Sequence, residues 1–138
     1  MRNWQLVVLC AATMFGAVLL ANEKPSESYS KAMKETSATQ QKLAKDADAK
    51  DYDAIAADAA IIKTNIREVV GKYWTDVKSD DGVTKAKAAY AAADDLEKAA
   101  KAKDEMGVAD ARKVLQATCG SCHTAHRERL PDGSFEIK

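Results

Sequence analysis

Apolar residues recur at alternating steps of three and four along most of this chain, the spacing of one face of an α-helix packed lengthwise against its neighbours. The clearest run is Tyr52, Ile55, Ala59, Ile62, Ile66, Val69 and Tyr73. The chain holds only 6 Gly and 2 Pro, and aromatic residues make up 6 % of it. Because strands need β-branched and aromatic residues bounded by frequent turns, this composition disfavours a sheet protein. The sequence therefore predicts an all-α domain.

The charges of the chain are balanced and mixed along its length. There are 21 Lys and Arg residues against 21 Asp and Glu residues in 138, with no long run of one sign. A nucleic-acid-binding protein needs a basic surface, so no nucleic-acid partner is expected. The length corresponds to a single domain.

The first 21 residues are predicted to be a secretory signal peptide. Arg2 is the only charged residue before Glu23, and the apolar stretch between them ends at Ala21. Cleavage is predicted after Ala21, and Leu19 is large for the third position before such a site. An uncleaved membrane anchor therefore remains the alternative, although the apolar stretch is short for a membrane span. Cys10 would be removed with the peptide. The exported domain, residues 22–138, is then periplasmic, carries a net charge of −1 and makes no stable membrane insertion unless the segment is retained.

Two helices are predicted in the first half of the exported domain. The first begins near Ser26 or Ser28, directly after Pro25, and the second spans Tyr52 to Tyr73 with Asp51 or Asp53 as its cap. The connection between them is short. The inward face of the first helix is only weakly apolar and consists of Tyr29, Met33, Thr36, Gln40, Leu43 and Ala47.

Two further helices are predicted from about residue 83 to 102 and from about 104 to 129, where Pro131 prevents continuation. The middle connection is predicted as a longer turn segment from Gly71 to Gly82, with Trp74 as a core or end-capping residue rather than a binding platform. Short connections favour antiparallel neighbours, so we expect an up-down-up-down four-helix bundle. Its inward positions are rich in alanine, which buries little apolar area, and this suggests that something else fills the bundle.

The last predicted helix contains Cys119-Gly120-Ser121-Cys122-His123, the C-x-x-C-H pattern of covalent c-type haem attachment. Residues three and four apart share a helix face, so both thiols can reach the two vinyl groups of one porphyrin while His123 offers a ring nitrogen to the iron. Two other kinds of site use similar residues. A dithiol oxidoreductase normally has a βαβ framework, which is not predicted here, and a zinc site would have only His126 as a fourth ligand.

With these residues on a C-terminal helix, the sequence resembles the class II c-type cytochromes, a family that includes cytochrome c-prime and its methionine-ligated low-spin relatives. The resemblance implies one haem c bound through Cys119 and Cys122, His123 as the proximal ligand, and a basic residue four positions later, here Arg127. Arg127 is either a solvated charge or a cation near the haem propionates. The resemblance also allows a homodimer. His126, the 130–138 tail and the middle connection depart from the family pattern.

Met33 is the predicted second axial ligand of the iron. It lies about seven residues into the first helix, and His123 lies about six before the end of the fourth, so at 1.5 Å per residue both are about 10 Å from one end of the predicted bundle. Met106 begins the fourth helix and would lie far away. The alternative is that Met33 fills the core. His126 cannot reach the opposite face of the porphyrin and is expected to stack on the haem edge or to hydrogen-bond outward.

These residues predict an electron carrier rather than an enzyme. Ligation by His123 and Met33 would fill both axial positions and let the iron change charge without binding a substrate. The expected partners are other periplasmic redox proteins. The runner-up is a five-coordinate haem protein in which Met33 does not ligate and the iron binds nitric oxide or carbon monoxide.

Overall fold

The structure is a computed structural model that describes residues 22–138, and the predicted signal peptide lies outside the described residues. The described part is mostly helical, which confirms the all-α class. Its helices are α1 (Glu27–Asp48), α2 (Tyr52–Asn65), a π-helical segment (Ile66–Gly71), α3 (Lys72–Asp76), α4 (Asp80–Lys101) and α5 (Glu105–His126). Two short antiparallel strands follow, β1 (Arg127–Arg129) and β2 (Phe135–Ile137). Among these residues, no helix combines the length and the apolarity that a membrane span requires.

Each long helix begins with a Ser or Asp side chain that accepts a hydrogen bond from the backbone N–H three residues later. This cap satisfies one of the amides that the first helical turn leaves without a partner. The predicted caps Ser26 and Asp51 are confirmed, and α4 and α5 use Ser79 and Asp104 in the same way. The acidic residues Asp80 and Asp81 therefore lie in the first turn of α4, where they complement the helix dipole.

The three connections between long helices are built alike. Each consists of three residues with a lysine in the left-handed conformation at the centre: Lys50, Lys78 and Lys103, with φ of 55°, 56° and 54°. The residue after each lysine donates its N–H to the carbonyl five positions earlier, the hydrogen bond of a Schellman turn. The predicted long turn from Gly71 to Gly82 is therefore wrong. The helix continues to Asp76, and Val77–Ser79 form the same compact turn as the other two.

The π-helical segment moves the inward register of the second long helix by one residue. A straight α-helix would direct Val69 and Tyr73 inward, as the spacing predicted. Instead, Val70 and Trp74 are buried, with exposed fractions of 2 % and 3 %, while Val69 and Tyr73 are only half-buried. A π turn contains an extra residue, so every side chain beyond it rotates relative to the α-helical pattern. Trp74 is thus a core residue, as expected.

Consecutive long helices pack against each other, α1 on α2, α2 on α4, and α4 on α5. Alanines make up much of the buried surface, as the sequence predicted, together with larger residues in the centre: Leu43, Ile55, Ile62, Leu96 and Leu115. Within the described chain, the backbones of α1 and α5 approach each other at far fewer points than these neighbouring pairs do. The first and last long helices therefore lie farther apart than a directly packed pair.

The fourth predicted helix ends earlier than expected. It was predicted to reach Arg129, but α5 ends at His126 and residues 127–129 pair with 135–137 as a hairpin. The turn between the strands contains Gly133, whose φ of 85° suits a residue without a side chain. Ser134 N–H donates to the Asp132 carboxylate at 2.9 Å and fixes the reversal. The tail is thus part of a small sheet.

Candidate functional site

The C-x-x-C-H segment lies in the last two turns of α5. Cys119 and Cys122 are half-buried thiols that form no disulfide, and Cys119 packs against the hydrophobic core. His123 is also half-buried and follows Cys119 by one helical turn. The carbonyl of His123 accepts a hydrogen bond from the backbone N–H of Arg127, so the ligand residue is held within a closed helical turn.

Side chains of α1 approach the C-x-x-C-H segment across the wider α1–α5 spacing. The Gln40 Nε2 donates a hydrogen bond to the Cys119 Sγ at 3.3 Å. Tyr29 lies in the first turn of α1 and is buried. Burial raises the pKa of Tyr29 above its usual range, and the neighbouring Cys122 sulfur adds to the rise. The two helices are therefore paired so that the start of α1 faces the end of α5.

Met33 lies between these two α1 residues. It follows Tyr29 by four positions and precedes Gln40 by seven, so all three share one face of α1. Its side chain is half-buried and packs against the core. Met106, which the sequence excluded as a ligand, is 77 % exposed in the first turn of α5. The structure thus sets Met33 on the α1 face that carries the buried Tyr29 and Gln40, whose amide contacts Cys119.

Burial shifts the pKa values of the titratable groups in the C-x-x-C-H segment. Burial raises the pKa of both Cys119 and Cys122, so both remain protonated thiols at neutral pH, unlike the low-pKa thiols of disulfide oxidoreductases. Burial also lowers the pKa of His123, and the positive charge of Arg127 lowers it further. His123 is therefore neutral at pH 7, the form in which imidazole binds a metal.

An aromatic cluster of Tyr29, Tyr73, Trp74 and His126 lies beside Cys122. The Tyr29 and Tyr73 rings are 5.0 Å apart, and Tyr73 and Trp74 are 4.9 Å apart, all in edge-to-face arrangements. The Trp74 Nε1–H is buried and has no hydrogen-bond acceptor among the described residues. The Tyr29 hydroxyl lies nearby, outside hydrogen-bonding geometry. A buried donor without an acceptor is costly in a folded protein, and it indicates a site where an acceptor could bind.

His126 connects the end of α5 to the start of α4. Its Nε2 lies 2.7 Å from the Asp81 carboxylate, and its ring stacks on Trp74 with centroids 4.5 Å apart. Asp81 also accepts a hydrogen bond from Lys85 at 2.7 Å. The pKa of Asp81 is lowered, first by Lys85 and then by His126. The outward hydrogen bond expected for His126 agrees with this contact.

Arg127 lies on β1, immediately after α5. Its guanidinium is 4.3 Å from the centroid of the Phe135 ring, a cation–π contact across the hairpin. The side chain is exposed, yet its charge acts on His123 one turn earlier. The role near haem propionates that the resemblance implies stays a prediction.

The residues present fit a haem on three grounds. Two thiols and one imidazole project from the last two turns of a single helix, α1 and α5 are spaced more widely than packed neighbours, and Trp74 has a buried donor without an acceptor. In the described part of the chain, no three His, Cys, Asp or Glu side chains converge as ligands for a bare metal ion. A c-type haem needs no such convergence, because a C-x-x-C-H segment would supply the iron with only one ligand.

The sequence indicated the thiols and imidazole but not their neighbours. Gln40, which contacts Cys119, appeared only as a polar interruption of the inward face of α1. Polar residues on an otherwise inward face were the available signal that this face meets something other than a hydrocarbon core. Comparison with protein-family models gave no match, and comparisons with curated proteins and with solved structures gave none either.

Proposed function

We propose that this chain is an exported c-type cytochrome that carries single electrons between periplasmic redox proteins through one covalently bound haem. The domain of residues 22–138 would be an up-down-up-down four-helix bundle, consistent with short connections and with the start of α1 facing the end of α5. The observation that carries the proposal is the C-x-x-C-H segment on α5, whose thiols and imidazole lie beside the wide α1–α5 spacing.

Each predicted site residue would have a separate role in holding the haem. Cys119 and Cys122 would bind it covalently, and His123, kept neutral by its surroundings, would bind the iron. The haem supplies an iron that changes between two oxidation states by one electron. Met33 would offer its thioether from α1 to the iron. Trp74 would donate its N–H to an acceptor on the haem, and Arg127 would contribute positive charge near the propionates. The aromatic cluster would exclude water from that side.

Two observations favour this function over a dithiol oxidoreductase. The described residues form helices and one small hairpin, without the βαβ framework of thioredoxin-like proteins. The pKa values of both thiols are raised by burial, whereas redox-active dithiols need an easily ionised cysteine. A zinc site is likewise less favoured, because His126 is bonded to Asp81.

Covalent haem is tested by expressing the full chain with export and measuring the mass and the spectrum of the product. We expect a mass increase of one haem on the exported chain and a pigment that survives acidified acetone and denaturation. A matched chain with Cys119→Ala and Cys122→Ala should lose the covalent pigment. A colourless exported protein, or extraction of the pigment by acid, would contradict the proposal.

Whether Met33 ligates the iron decides between the electron carrier and the gas-binding alternative. Because Met33 lies on the same face of α1 as Gln40, which contacts Cys119, we expect a six-coordinate, low-spin haem that binds carbon monoxide slowly. Met33→Ala should open the iron, shift the spectrum to high spin and accelerate carbon monoxide binding. Met106→Ala is the control and should change nothing, since that side chain is exposed.

The gas-binding function is favoured instead if the unmodified protein is already high-spin in both oxidation states. Met33 would then be a core residue, as its packing against the hydrophobic cluster allows. An unchanged spectrum in Met33→Ala would also show that Met33 does not ligate the iron.

A further inference from the structure

The first residues of the exported domain pair with the last residues of the chain. Glu23 N–H donates to the Ile137 carbonyl at 2.9 Å, and Ile137 N–H donates to the Glu23 carbonyl at 2.8 Å. The Asn22 side-chain amide donates to the Glu128 carboxylate at 2.8 Å. Residues 22–23 thus contact both strands of the hairpin. We call residues 22–23, β1 and β2 together the clasp.

The clasp is joined to the last turn of α5 by two backbone hydrogen bonds. Arg127 N–H donates to the His123 carbonyl, and Lys138 N–H donates to the His126 carbonyl at 3.1 Å. The final carbonyls of a helix have no partner within the helix, and without one the last turn frays. The first residue of β1 and the residue that follows β2 therefore supply partners to the turn that carries His123.

The clasp also rests on the body of the protein. The Ile137 side chain packs against the hydrophobic core, and the Arg127–Phe135 stack ties the two strands together. Burial raises the pKa of Tyr73 in the aromatic cluster, and the negative charge of Glu23 adds to the rise. The clasp thus connects α1, the aromatic cluster and the end of α5. A two-stranded hairpin alone is only marginally stable in water, so these outside contacts stabilise it.

We propose that the clasp is a positioning element for His123: pairing of Glu23 with Ile137 keeps the hairpin closed, and the closed hairpin holds the last turn of α5 so that the imidazole keeps its place. The existence of the clasp does not depend on haem, whereas its action on iron ligation rests on the proposed function. The two parts are therefore tested separately.

The closure of the clasp is tested with Glu23→Pro and Glu23→Ala in the exported chain. Proline removes the N–H that donates to Ile137, whereas alanine keeps the backbone and removes only the carboxylate. Trypsin cleavage after Arg127 and Arg129 reports opening, because a paired strand resists the protease. We expect cleavage about three- to tenfold faster in Glu23→Pro, from the loss of about one hydrogen bond, and unchanged in Glu23→Ala. Cleavage after Lys50, Lys78 and Lys103 serves as the internal reference.

Equal cleavage in all three proteins would overturn the clasp, and equal acceleration in both variants would overturn the role of backbone pairing.

The positioning of His123 is tested on the loaded protein by acid titration of its absorption spectrum. Glu23→Pro should raise the pH at which the imidazole leaves the iron, and Glu23→Ala should not. No shift in Glu23→Pro would overturn the positioning role. If the unmodified protein carries no haem, the proposed function fails, while the cleavage result still decides the clasp.

Discussion

The two groups of helix ends in this protein are built in contrasting ways. Where α1 meets α2 and α4 meets α5, two identical three-residue turns are capped by Asp51 and Asp104 and joined by an exposed Lys50–Glu105 ion pair. At the other ends lie a π-helical segment, an indole N–H without an acceptor, two half-buried thiols and a hairpin. Both groups follow the local rules of helix capping, since Ser26 and Ser79 cap the second group, but only the second adds these irregular features.

The difference separates the helix ends that only connect helices from the helix ends that surround the C-x-x-C-H segment. Departures from local rules cost stability and persist where another requirement offsets them. Here the Trp74 indole packs against His126, which follows Cys122 by four residues and His123 by three. The irregular ends are therefore the part of the molecule that a bound haem would complete, while the regular ends stand without one.

The largest effect is expected from Gly82→Ala. A Cβ at this position would overlap the Trp74 ring, so either the indole or the first turn of α4 must move. We expect a loss of about 1–3 kcal/mol of unfolding free energy, measured by denaturant titration. Gly120→Ala is the matched control next to Cys119. Nothing lies within 4 Å of its added Cβ, and removing a glycine from a helix should stabilise by about 0.5–1 kcal/mol. Equal effects of the two substitutions would show that Trp74 is not tightly packed.

An intermediate effect is expected at high pH. Burial raises the pKa of Tyr29 above 10.0, so above that pH the unfolded chain releases the phenol proton while the folded chain keeps it. Stability is therefore full below pH 10 and falls as the pH rises, by about 1 kcal/mol by roughly pH 11. Tyr29→Phe should make the alkaline decline shallower, and Tyr90→Phe is the comparison elsewhere on the molecule. An alkaline decline that is unchanged in Tyr29→Phe would contradict the burial of that hydroxyl.

The smallest effect is expected in the regular turns. Lys103 has a φ of 54°, a conformation that glycine adopts with less strain than lysine. Lys103→Gly should therefore raise the unfolding free energy by about 0.5–1 kcal/mol, measured by thermal unfolding. Lys101→Gly, within α4, should instead destabilise by a similar amount. A loss of stability at Lys103 would mean that its side chain has a role that its backbone conformation does not reveal.

Much of the fold could be predicted because periodicity and capping are local properties. The alternating apolar spacing located all the long helices, and Ser26 and Asp51 fixed two of their starts. The turns were harder, because the residues in the left-handed conformation are lysines rather than glycines and carry no turn signal. Asp80, Asp81 and Gly82 look like a loop in sequence, although the Ser79 cap makes them the first turn of α4.

The site was predictable only where its chemistry is encoded within one turn of helix. Cys119, Cys122 and His123 form a motif, whereas the neighbours of that motif come from α1, α3 and α4. The contact of Gln40 with Cys119 joins residues 79 positions apart. Such a pairing depends on how the helices pack, and neither residue alone indicates it. The hairpin was missed for the same reason, since β1 becomes a strand only when residues 135–137 pair with it, and Ile137 in turn pairs with Glu23.

The π-helical segment determines which aromatic ring faces the interior. Straightening this segment into an α-helix without removing a residue would rotate everything beyond it by about 100° about the helix axis. The indole would then leave the core, and its place beside Tyr29 and His126 would pass to a different residue. Deleting one residue between Ile66 and Gly71 would instead remove the extra residue of the π turn and leave Trp74 in its inward register. The side chain in contact with His126 is thus set by the residue that the π turn accommodates as well as by the kinds of residue in the helix.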